Sequence, residues 1–222
     1  MDKELCFTND GSTTFYIPEL KQHYHSLYGA VGEALHVFIH AGLLPLMDKQ
    51  QHINVLEVGL GTGLNALLTE VYSRSKSVIY YSAIEAFPLT IQEAEQLNFH
   101  KQLPDASHKI FLEIHNTPSD NHFHVIRENF HYKIIHAKLE QFYFDENVYD
   151  LVYFDAFSPD AQPELWELEV FEKIYNSMKK GGYLCTYSAK GMVRRRMEFA
   201  GFKVEKLAGF SGKREMLRGE KI

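Results

Sequence analysis

The 222-residue sequence has few of the features that mark secreted or membrane-bound proteins. Its two cysteines, Cys6 and Cys185, lie far apart, so no disulfide framework is visible. The charged N-terminus, residues 1–5, lacks the apolar segment of a signal peptide, and no run approaches the ~18 apolar residues of a membrane span. We therefore expect a cytoplasmic protein of a reducing compartment, such as the bacterial cytosol, with no membrane partner.

Acidic residues outnumber basic ones over the whole chain, and the net charge of −6 taken alone argues against a nucleic-acid binder. No DNA partner is expected. The negative charge is unevenly distributed along the chain, because residues 190–222 hold ten lysines and arginines against four acidic residues. A basic segment on an acidic body indicates either a local site for an anionic partner or an ordinary solvated surface. Charge alone leaves both interpretations open.

Apolar runs alternate with helical patterns, which predicts an α/β fold with a largely parallel sheet, in one domain spanning residues 1–222. The predicted strands are 53–58, 78–84, 132–137, 150–155, 183–187, 202–208 and 215–218. The predicted helices are 64–72, 90–97, 167–178 and 192–200, the third of which should stop at the basic and glycine residues 179–182.

Two segments fall outside this alternation. Residues 1–50 form an N-terminal extension that ends in a predicted helix, 34–46. Residues 100–130 form a probable insertion, in which 110–114 and 122–126 alternate apolar and polar residues around a turn. That pattern predicts a β-hairpin.

A glycine-rich loop follows the first long strand and opens a helix. Gly59, Gly61 and Gly63 allow positive φ angles and a close approach of the backbone to a ligand. Their G-x-G-x-G spacing differs from the G-x-G-x-x-G of dinucleotide-binding folds. Glu57, just before the loop, would repel a pyrophosphate but can face a positively charged ligand. The loop therefore favours S-adenosylmethionine as the cofactor.

Glu85 ends the second strand, where a carboxylate can accept hydrogen bonds from both ribose hydroxyls of a nucleoside cofactor. This feature alone does not separate adenosylmethionine from NAD, whereas the loop spacing and Glu57 do. The alternative is a simple glycine turn beside a solvent-facing glutamate. The order of strand, acid, three glycines and ribose carboxylate argues against it.

The segment 155–166 follows the buried fourth strand, so Asp155 lies where open α/β sheets bind their ligands. If the methyl acceptor is an amine, a carboxylate there can hold the ammonium, take up its proton and orient the lone pair. Pro159 and Pro163 stiffen the loop. Trp166 is either a stacking platform for a substrate or a residue that packs on the sheet.

Taken together, several segments resemble one family, the methyltransferase module of the tRNA 5-methylaminomethyl-2-thiouridine biosynthesis (MnmC) family. The segments are 56–65, 85–90, 155–166, 188–195 and 209–217, with weaker matches at 24–26 and 33–38. The resemblance implies a class I, Rossmann-like methyltransferase with a mainly parallel seven-stranded sheet and helices on both faces. It also implies methyl transfer from S-adenosyl-L-methionine to the amine of 5-aminomethyl-(2-thio)uridine at the tRNA wobble position.

The resemblance carries over to particular residues. Asp155 would be catalytic, and the cofactor would be bound by Glu57, Gly59, Gly61, Thr62, Gly63, Asn65 and Glu85. The tRNA anticodon arm would be bound by Tyr24, Ser26, Phe157, Pro159, Trp166, Arg194, Arg195, Arg196, Lys213 and Arg214. Phosphate contacts of this kind make affinity fall with salt, and the target base would be turned out of its stack.

Two departures from the family pattern matter. The bifunctional members carry a flavin-dependent oxidase module that generates the aminomethyl group, and this sequence shows no second nucleotide fingerprint. We therefore expect a stand-alone methyltransferase whose substrate comes from another enzyme upstream. The family's glycine-aspartate pair near the adenine is replaced by His136, Ala137 and Lys138, so a backbone amide or Glu140 would have to serve there.

Other functions fit the sequence less well. Pairs such as His122 and His124 lack the accompanying ligands of a known metal site, so no metal is expected, and Ser26 and Ser158 have no evident catalytic partners. Two alternatives stay open. One is an amine-directed small-molecule methyl- or aminopropyltransferase, and the other is an inert Rossmann-like binding module.

Overall fold

The computed structural model describes residues 2–74, 76–103 and 105–222. Its strands are Glu4–Phe7 (β1), Thr13–Ile17 (β2), Gln22–His23 (β3), His52–Val58 (β4), Val78–Glu85 (β5), His124–Arg127 (β6), Phe130–His136 (β7), Tyr149–Phe154 (β8), Met178–Thr186 (β9), Phe202–Ala208 (β10) and Glu215–Lys221 (β11). Its helices are Ala30–Met47 (α1), Leu64–Ser73 (α2), Ile91–Ala94 (α3), Phe99–Gln102 (α4), His108–His115 (α5), Leu168–Ser177 (α6) and Gly191–Phe199 (α7).

The large sheet has the order β10-β11-β9-β8-β4-β5-β7-β6. Strands β9, β8, β4, β5 and β7 run parallel, and antiparallel strands extend the sheet at both edges. The expected mainly parallel α/β sheet is confirmed, and β6 makes it eight strands among the described residues rather than seven. Val58 lies in register with Ile84 on one side and Phe154 on the other, so the three central strands end at one edge.

Side chains of the central strands alternate between two apolar cores, as the pleat of a strand requires. Val55 points into the core that contains α1 and α2, and Leu56 points into the core that contains α6 and α7. The class I arrangement of helices on both faces is therefore confirmed. The polar loops that follow the strands are left at the sheet edge between these layers.

Helix α1 corrects the expectation that no segment is long and apolar enough to span a membrane. It has 18 residues and meets that criterion by length and composition alone, although 56% of it is buried inside the protein. Its middle, Leu35–Leu43, is π-helical. Gly42 packs against the side chains of Leu151 and Cys185, where a Cβ would come within 3.0 and 3.1 Å. The apolar composition of α1 is thus explained by its contact with the sheet.

The insertion also differs from the expected hairpin. Residues 110–114 belong to helix α5, because Ile110, Phe111 and Ile114 recur with helical spacing and are buried on one side. The Ser107 side chain caps the helix by accepting a hydrogen bond from Ile110 N. Strand β6 forms as expected near 122–126, but it pairs with β7 instead.

Helix α6 ends at Ser177, one residue before the predicted end, so the position of its C-terminus is confirmed. Residues 179–182, which were expected to follow the helix as its basic and glycine end, already belong to β9. Lys179 bonds both carboxylate oxygens of Asp150 on the neighbouring strand, at 3.0 and 2.9 Å. This tertiary contact fixes the chain as strand where local composition indicates a helix end.

The N-terminal extension contains a small sheet, β1-β2-β3, that the sequence patterns did not indicate. Its hydrogen bonds join it to the main body, since Thr13 N donates to Asn98 Oδ1 at 2.8 Å. The chain then passes through residues 22–28 into α1. This passage crosses over the sheet edge at which the central strands end.

Candidate functional site

A cavity of about 840 Å³ opens at the edge where β4, β5 and β8 end. Its floor is formed by the loops after those strands, with Gly59, Glu85 and Asp155 on the surface. Its roof is residues 22–28 of the N-terminal extension, and its sides include residues 136–140. The volume is in the range of ligand sites, roughly 300–1,000 Å³, and the position is where α/β sheets bind ligands.

The glycine loop adopts the backbone that its residues were predicted to allow. Gly59 has φ +84° and Gly61 has φ +50°. A Cβ on Gly59 would lie 2.9 Å from the carbonyl oxygen of Asp155, and one on Gly61 would lie 2.9 Å from the Tyr24 ring. Both positions therefore require glycine, for their backbone angle and for the close contact.

Glu85 connects the second strand to this loop. Its Oε2 accepts a hydrogen bond from Gly61 N at 3.0 Å, and its Oε1 accepts one from Phe87 N at 2.8 Å. Each carboxylate oxygen keeps a further lone pair, and the side chain lines the cavity. Glu85 is therefore held rigidly with acceptor capacity directed at a ligand.

Asn65, at the start of α2, links the two carboxylates behind the loop. Its Nδ2 donates to Asp155 Oδ2 at 2.8 Å and to Glu57 Oε1 at 2.9 Å. Tyr81 donates to the other oxygen of Glu57 at 2.8 Å. Glu57 is fully buried and does not line the cavity. The structure therefore places Glu57 behind the loop, where it orients Asn65, rather than facing a ligand as the sequence suggested.

Asp155 has an unusual electrostatic environment. Burial raises the pKa of Asp155 to about 7; the hydrogen bond from Asn65 opposes this, the charge of Glu33 adds to it, and Lys213 counters it. Burial also raises the pKa of Glu57 well above its usual range. A carboxyl that titrates near neutral pH is suited to exchange a proton with a bound group.

Three further charged or aromatic side chains face the cavity near Asp155. Glu33 of α1 forms an ion pair with Lys213, and its Oε2 accepts a hydrogen bond from Ser26 N at 3.2 Å. The Lys213 ammonium lies 4.8 Å from the centre of the Tyr187 ring. Tyr187 in turn donates to the carbonyl oxygen of Ala156 at 2.9 Å. This end of the cavity therefore already holds one ammonium group.

The sequence-predicted residues divide into those on the cavity wall and those away from it. On the wall are Gly59, Gly61, Glu85, Asp155, Tyr24, Ser26, Phe157 and Lys213. Away from it are Glu57, Thr62, Gly63, Asn65, Pro159, Trp166, Arg194, Arg195, Arg196 and Arg214. Thr62 and Gly63 support the loop from behind, because Thr62 Oγ1 lies 3.1 Å from His25 Nε2 and Gly63 packs on His115.

Trp166 is fully buried between the sheet and α6, and its Nε1 donates to the carbonyl oxygen of Phe157 at 2.8 Å. Its ring centre lies 4.8 Å from that of Phe154 and 6.2 Å from that of Tyr187. Of the two interpretations given to Trp166, packing on the sheet is the one the structure shows. The tryptophan thereby fixes the loop that carries Phe157.

The described residues contain no group of three or more histidine, cysteine, aspartate or glutamate side chains able to hold a metal ion. His25 and His115 support the glycine loop. Each is partly buried, and this burial lowers the pKa of each to about 4, so both are neutral near pH 7. His25 bridges Thr14 and Thr62 through its two ring nitrogens.

Residues 89–222 match the model of a family of S-adenosyl-L-methionine-dependent methyltransferases. The chain belongs to this family. The matched region includes Asp155, Tyr187 and Lys213, and the glycine loop lies just before it. S-adenosyl-L-methionine is therefore the cofactor of this methyltransferase.

Curated relatives are named tRNA 5-methylaminomethyl-2-thiouridine biosynthesis bifunctional protein MnmC. That of Pseudoalteromonas atlantica is 32% identical over 215 residues, which cover 88% of this chain and 30% of the relative. That of Leptospira interrogans is 31% identical over 207 residues, which cover 88% of this chain and 32% of the relative. The chain thus spans about a third of the length of the relatives it matches.

Solved structures share the fold. MNMC2 from Aquifex aeolicus superposes with a TM-score of 0.78 at 24% identity, covering 99% of this chain and 70% of that one. Spermidine synthase from Thermotoga maritima superposes with a TM-score of 0.58 at 15% identity, covering 99% and 72%. At these identities the likeness establishes the architecture of the methyltransferase and nothing about its acceptor.

The cavity fits the cofactor. The absence of side chains at Gly59 and Gly61 leaves a backbone cradle, and Glu85 offers two carboxylate oxygens for ribose hydroxyls. Lys138 and Glu140, which replace the expected adenine contact, lie on the cavity wall with Leu139 between them. The choice between a backbone amide and Glu140 at the adenine stays a prediction.

Sequence patterns missed two of the residues that face Asp155. Glu33 lies in the first turn of an apolar helix, and Tyr187 directly follows a buried strand, so neither stood out as a candidate. A charged residue on an otherwise buried helix carries a desolvation cost unless it has a partner. That cost was the signal by which Glu33 was recognisable in advance.

Proposed function

We propose that this methyltransferase acts on tRNA, converting the 5-aminomethyl group of wobble (2-thio)uridine into 5-methylaminomethyl. The observation that carries the proposal is the position of Asp155 on the cavity wall, where its pKa is raised to about 7. The ion pair between Glu33 and Lys213 lines the same cavity, so an ammonium group is already bound there. The names of the relatives supply the acceptor, a tRNA uridine that carries an amine. A cytoplasmic location is part of the same proposal.

The residues on the cavity wall perform three tasks in this reaction. Glu85 and the glycine loop hold the cofactor, which supplies an electrophilic methyl group on its sulfonium. The Asp155 carboxylate takes a proton from the acceptor's ammonium, which frees the nitrogen lone pair for in-line attack on the methyl carbon. When bound, the cofactor would give up its methyl group with the electron pair of the C–S bond retained on sulfur, so the transfer would leave a neutral thioether. Asp155 then releases its proton to solvent.

The tRNA would approach the open side of the cavity. Tyr28 and Phe87 lie at this opening and are 63% and 52% exposed, so their rings are free to stack on nucleobases. The wobble uridine would have to leave its stack to reach Asp155. Three arginines lie outside the cavity, namely Arg194, Arg195 and Arg214. Because they do not reach the reacting groups, we propose that they contact phosphates of the anticodon arm.

The proposed reaction needs a separate catalytic unit that makes the aminomethyl group. Amine formation at a uracil C5 substituent is not chemistry that an electrophilic methyl donor and a carboxylate supply. The relatives are bifunctional by name, and the part of them outside the match is about two thirds of their length. We propose that a second enzymatic activity, flavin-dependent in its chemistry, acts before this one.

The test is methyl transfer from labelled S-adenosylmethionine to tRNA that carries 5-aminomethyl-2-thiouridine. Label in the wobble nucleoside, identified by mass spectrometry after digestion, is the expected result. Spermidine and putrescine are assayed in parallel, because the aminopropyltransferase-like fold makes a small amine the rival acceptor. Label on a polyamine and none on tRNA overturns the proposal. If the wild-type protein transfers methyl groups and the Asp155→Asn variant does not, the chain is an enzyme and not an inert binding module.

A further inference from the structure

The ion pair between Glu33 and Lys213 lies inside the cavity, not on the outer surface. The Glu33 side chain is only 13% exposed, and that of Lys213 is 40% exposed. Both residues line the same cavity wall as Asp155 and Tyr187. Exposed ion pairs contribute little, but a carboxylate this buried carries a desolvation cost that its partner must offset. Glu33 is thus built to hold a cation.

The contacts around the Lys213 ammonium describe a complete ammonium subsite. The Glu33 carboxylate accepts a hydrogen bond from Lys213 Nζ, and the Tyr187 ring face lies 4.8 Å from the same nitrogen. A carboxylate and an aromatic face are the two groups that best stabilise a cation outside bulk water. The backbone N–H of Ser26 fixes the second oxygen of Glu33, and the Tyr187 hydroxyl is fixed by Ala156.

Lysine ends in a CH₂–NH₃⁺ group, and so does a protonated aminomethyl substituent on a ring. The subsite that holds Lys213 therefore matches the charged group of the proposed acceptor atom for atom. Lys213 lies in the loop between β10 and β11, next to Gly212, where an added Cβ would meet no described atom within 4 Å. The loop backbone is held by a turn in which Lys213 N donates to Phe210 O, so displacement of the ammonium needs only rotation of the long lysine side chain. An acceptor entering from the open side would meet the same two groups.

We propose that Glu33 and Tyr187 form the subsite that receives the acceptor's primary ammonium, and that Lys213 occupies it until the acceptor displaces it. This inference rests on the proposed function for the identity of the acceptor, but the subsite itself is a property of the empty protein. Glu33 binds the ammonium while Asp155 receives its proton. The released Lys213 is then free to contact an anionic part of the acceptor.

Binding of a small probe tests the subsite separately from the tRNA reaction. The probe is benzylamine, an aromatic ring with one CH₂–NH₃⁺ group, and benzyl alcohol is its uncharged control. Affinities are measured by NMR titration of the full-length protein and of the variants Glu33→Gln, Lys213→Met and the double variant. Glu169→Gln and Lys203→Met, on the exposed surface, are the matched controls.

Lys213→Met is expected to bind benzylamine about tenfold more tightly than the wild type, because the competing ammonium is gone. Glu33→Gln is expected to lose the preference for benzylamine over benzyl alcohol, and the double variant to behave like Glu33→Gln. Thermal unfolding shows that each variant is folded. If Lys213→Met binds benzylamine no better than the wild type, or if Glu33→Gln keeps the preference, the subsite is wrong.

The two proposals fail in different ways. If the wild-type protein puts no label on aminomethyl-tRNA, the proposed function is wrong, but the benzylamine result is unaffected. If benzylamine affinity does not change on substitution of Glu33 or Lys213, the subsite is wrong even when tRNA is methylated. With active enzyme, Glu33→Gln is further expected to raise the KM for tRNA with a smaller change in kcat, since the Asp155 carboxylate stays in place and loses only the charge of Glu33 that helps to raise its pKa.

Discussion

The Asn65 side-chain amide donates a hydrogen bond of 2.8 Å to the Asp155 carboxylate, from the helix that follows the glycine loop. The same nitrogen bonds Glu57 at 2.9 Å. The loop that cradles the cofactor and the residue that receives the acceptor's proton are thereby held in one frame. A substitution of Asn65 is therefore expected to affect both the glycine loop and Asp155.

Asn65→Ala is expected to move the acidic limb of the activity profile to higher pH. The hydrogen bond from Asn65 lowers the pKa of Asp155 against the effect of burial, so its loss leaves the carboxyl protonated to higher pH. Activity at pH 7 falls and recovers in part above pH 8. The pH dependence of kcat/KM measures this, with Asn116→Ala on the exposed end of α5 as the control. An unshifted limb contradicts the assignment.

Asp155→Asn is expected to lower kcat by about 10² to 10⁴, the usual contribution of a general base. Asparagine keeps the shape of the side chain and its place beside Asn65 but cannot take up the proton. Calorimetry should show that affinity for S-adenosylmethionine changes little, because Glu85 and the glycine loop are intact. Equal losses of cofactor binding and turnover would mean that Asp155 serves the cofactor instead.

Asp155→Asn is also expected to stabilise the folded protein at high pH. The pKa of Asp155 is raised to about 7 in the folded protein from 3.8 in the unfolded chain, so the folded state binds the extra proton between these values. Stability therefore falls as pH rises from about 4 to 7. Asp155→Asn removes this loss and should gain up to about 4 kcal/mol at pH 8, because the shift is roughly three pKa units at about 1.4 kcal/mol per unit. Urea unfolding at pH 4.5 and pH 8 measures the difference, which should be small at the lower pH.

Gly61→Val is expected to abolish S-adenosylmethionine binding while the protein stays folded. The added side chain meets the Tyr24 ring, and the φ of +50° is unfavourable for a β-branched residue. Gly181→Val is the matched control, because Gly181 has a φ of +80° and no atom of the described residues lies within 4 Å of its Cβ position. Normal cofactor affinity in Gly61→Val, measured by calorimetry, would refute the placement of the cofactor.

Two of the three consecutive arginines of α7 are expected to behave differently. Arg195 is exposed and forms no ion pair within the described part of the chain, whereas Arg196 pairs with Glu167 and donates to the carbonyl oxygen of Trp166 at 3.0 Å. Arg195→Glu should weaken tRNA binding and lower its salt slope by about 1. Arg196→Ala should mainly lower the unfolding midpoint. Filter binding at several salt concentrations, together with thermal unfolding, separates the two effects.

Periodicity and turn residues were sufficient to predict the parallel strands and the position of the glycine loop. Strand β10 begins and ends as predicted, and Asp155 follows β8 at the expected edge. The patterns failed where contacts between distant segments decide the structure. Residues 179–182 are strand because of Asp150, and Glu57 is hidden because Tyr81 and Asn65 take its oxygens. No local pattern contains those partners.

The ammonium subsite was beyond sequence reasoning for the same physical reason. Glu33, Tyr187 and Lys213 come from α1, the end of β9 and the loop before β11, and only the folded sheet brings them together. Lys213 was assigned to tRNA because it lies in the basic C-terminal segment of a sequence that resembles a tRNA-modifying family. Its contact with Glu33 inside the cavity depends on the folded structure.

The cavity has a floor made by the parallel strands and a roof made by residues 22–28. The two parts come from distant stretches of the chain but meet directly, because Gly61 of the floor packs against the Tyr24 ring of the roof. Exchange of the N-terminal segment alone would therefore alter the upper face of the acceptor site and leave Asp155 on the floor in place. A graft meant to redirect methylation to another amine has to preserve this contact between roof and floor, because the cofactor loop shares it.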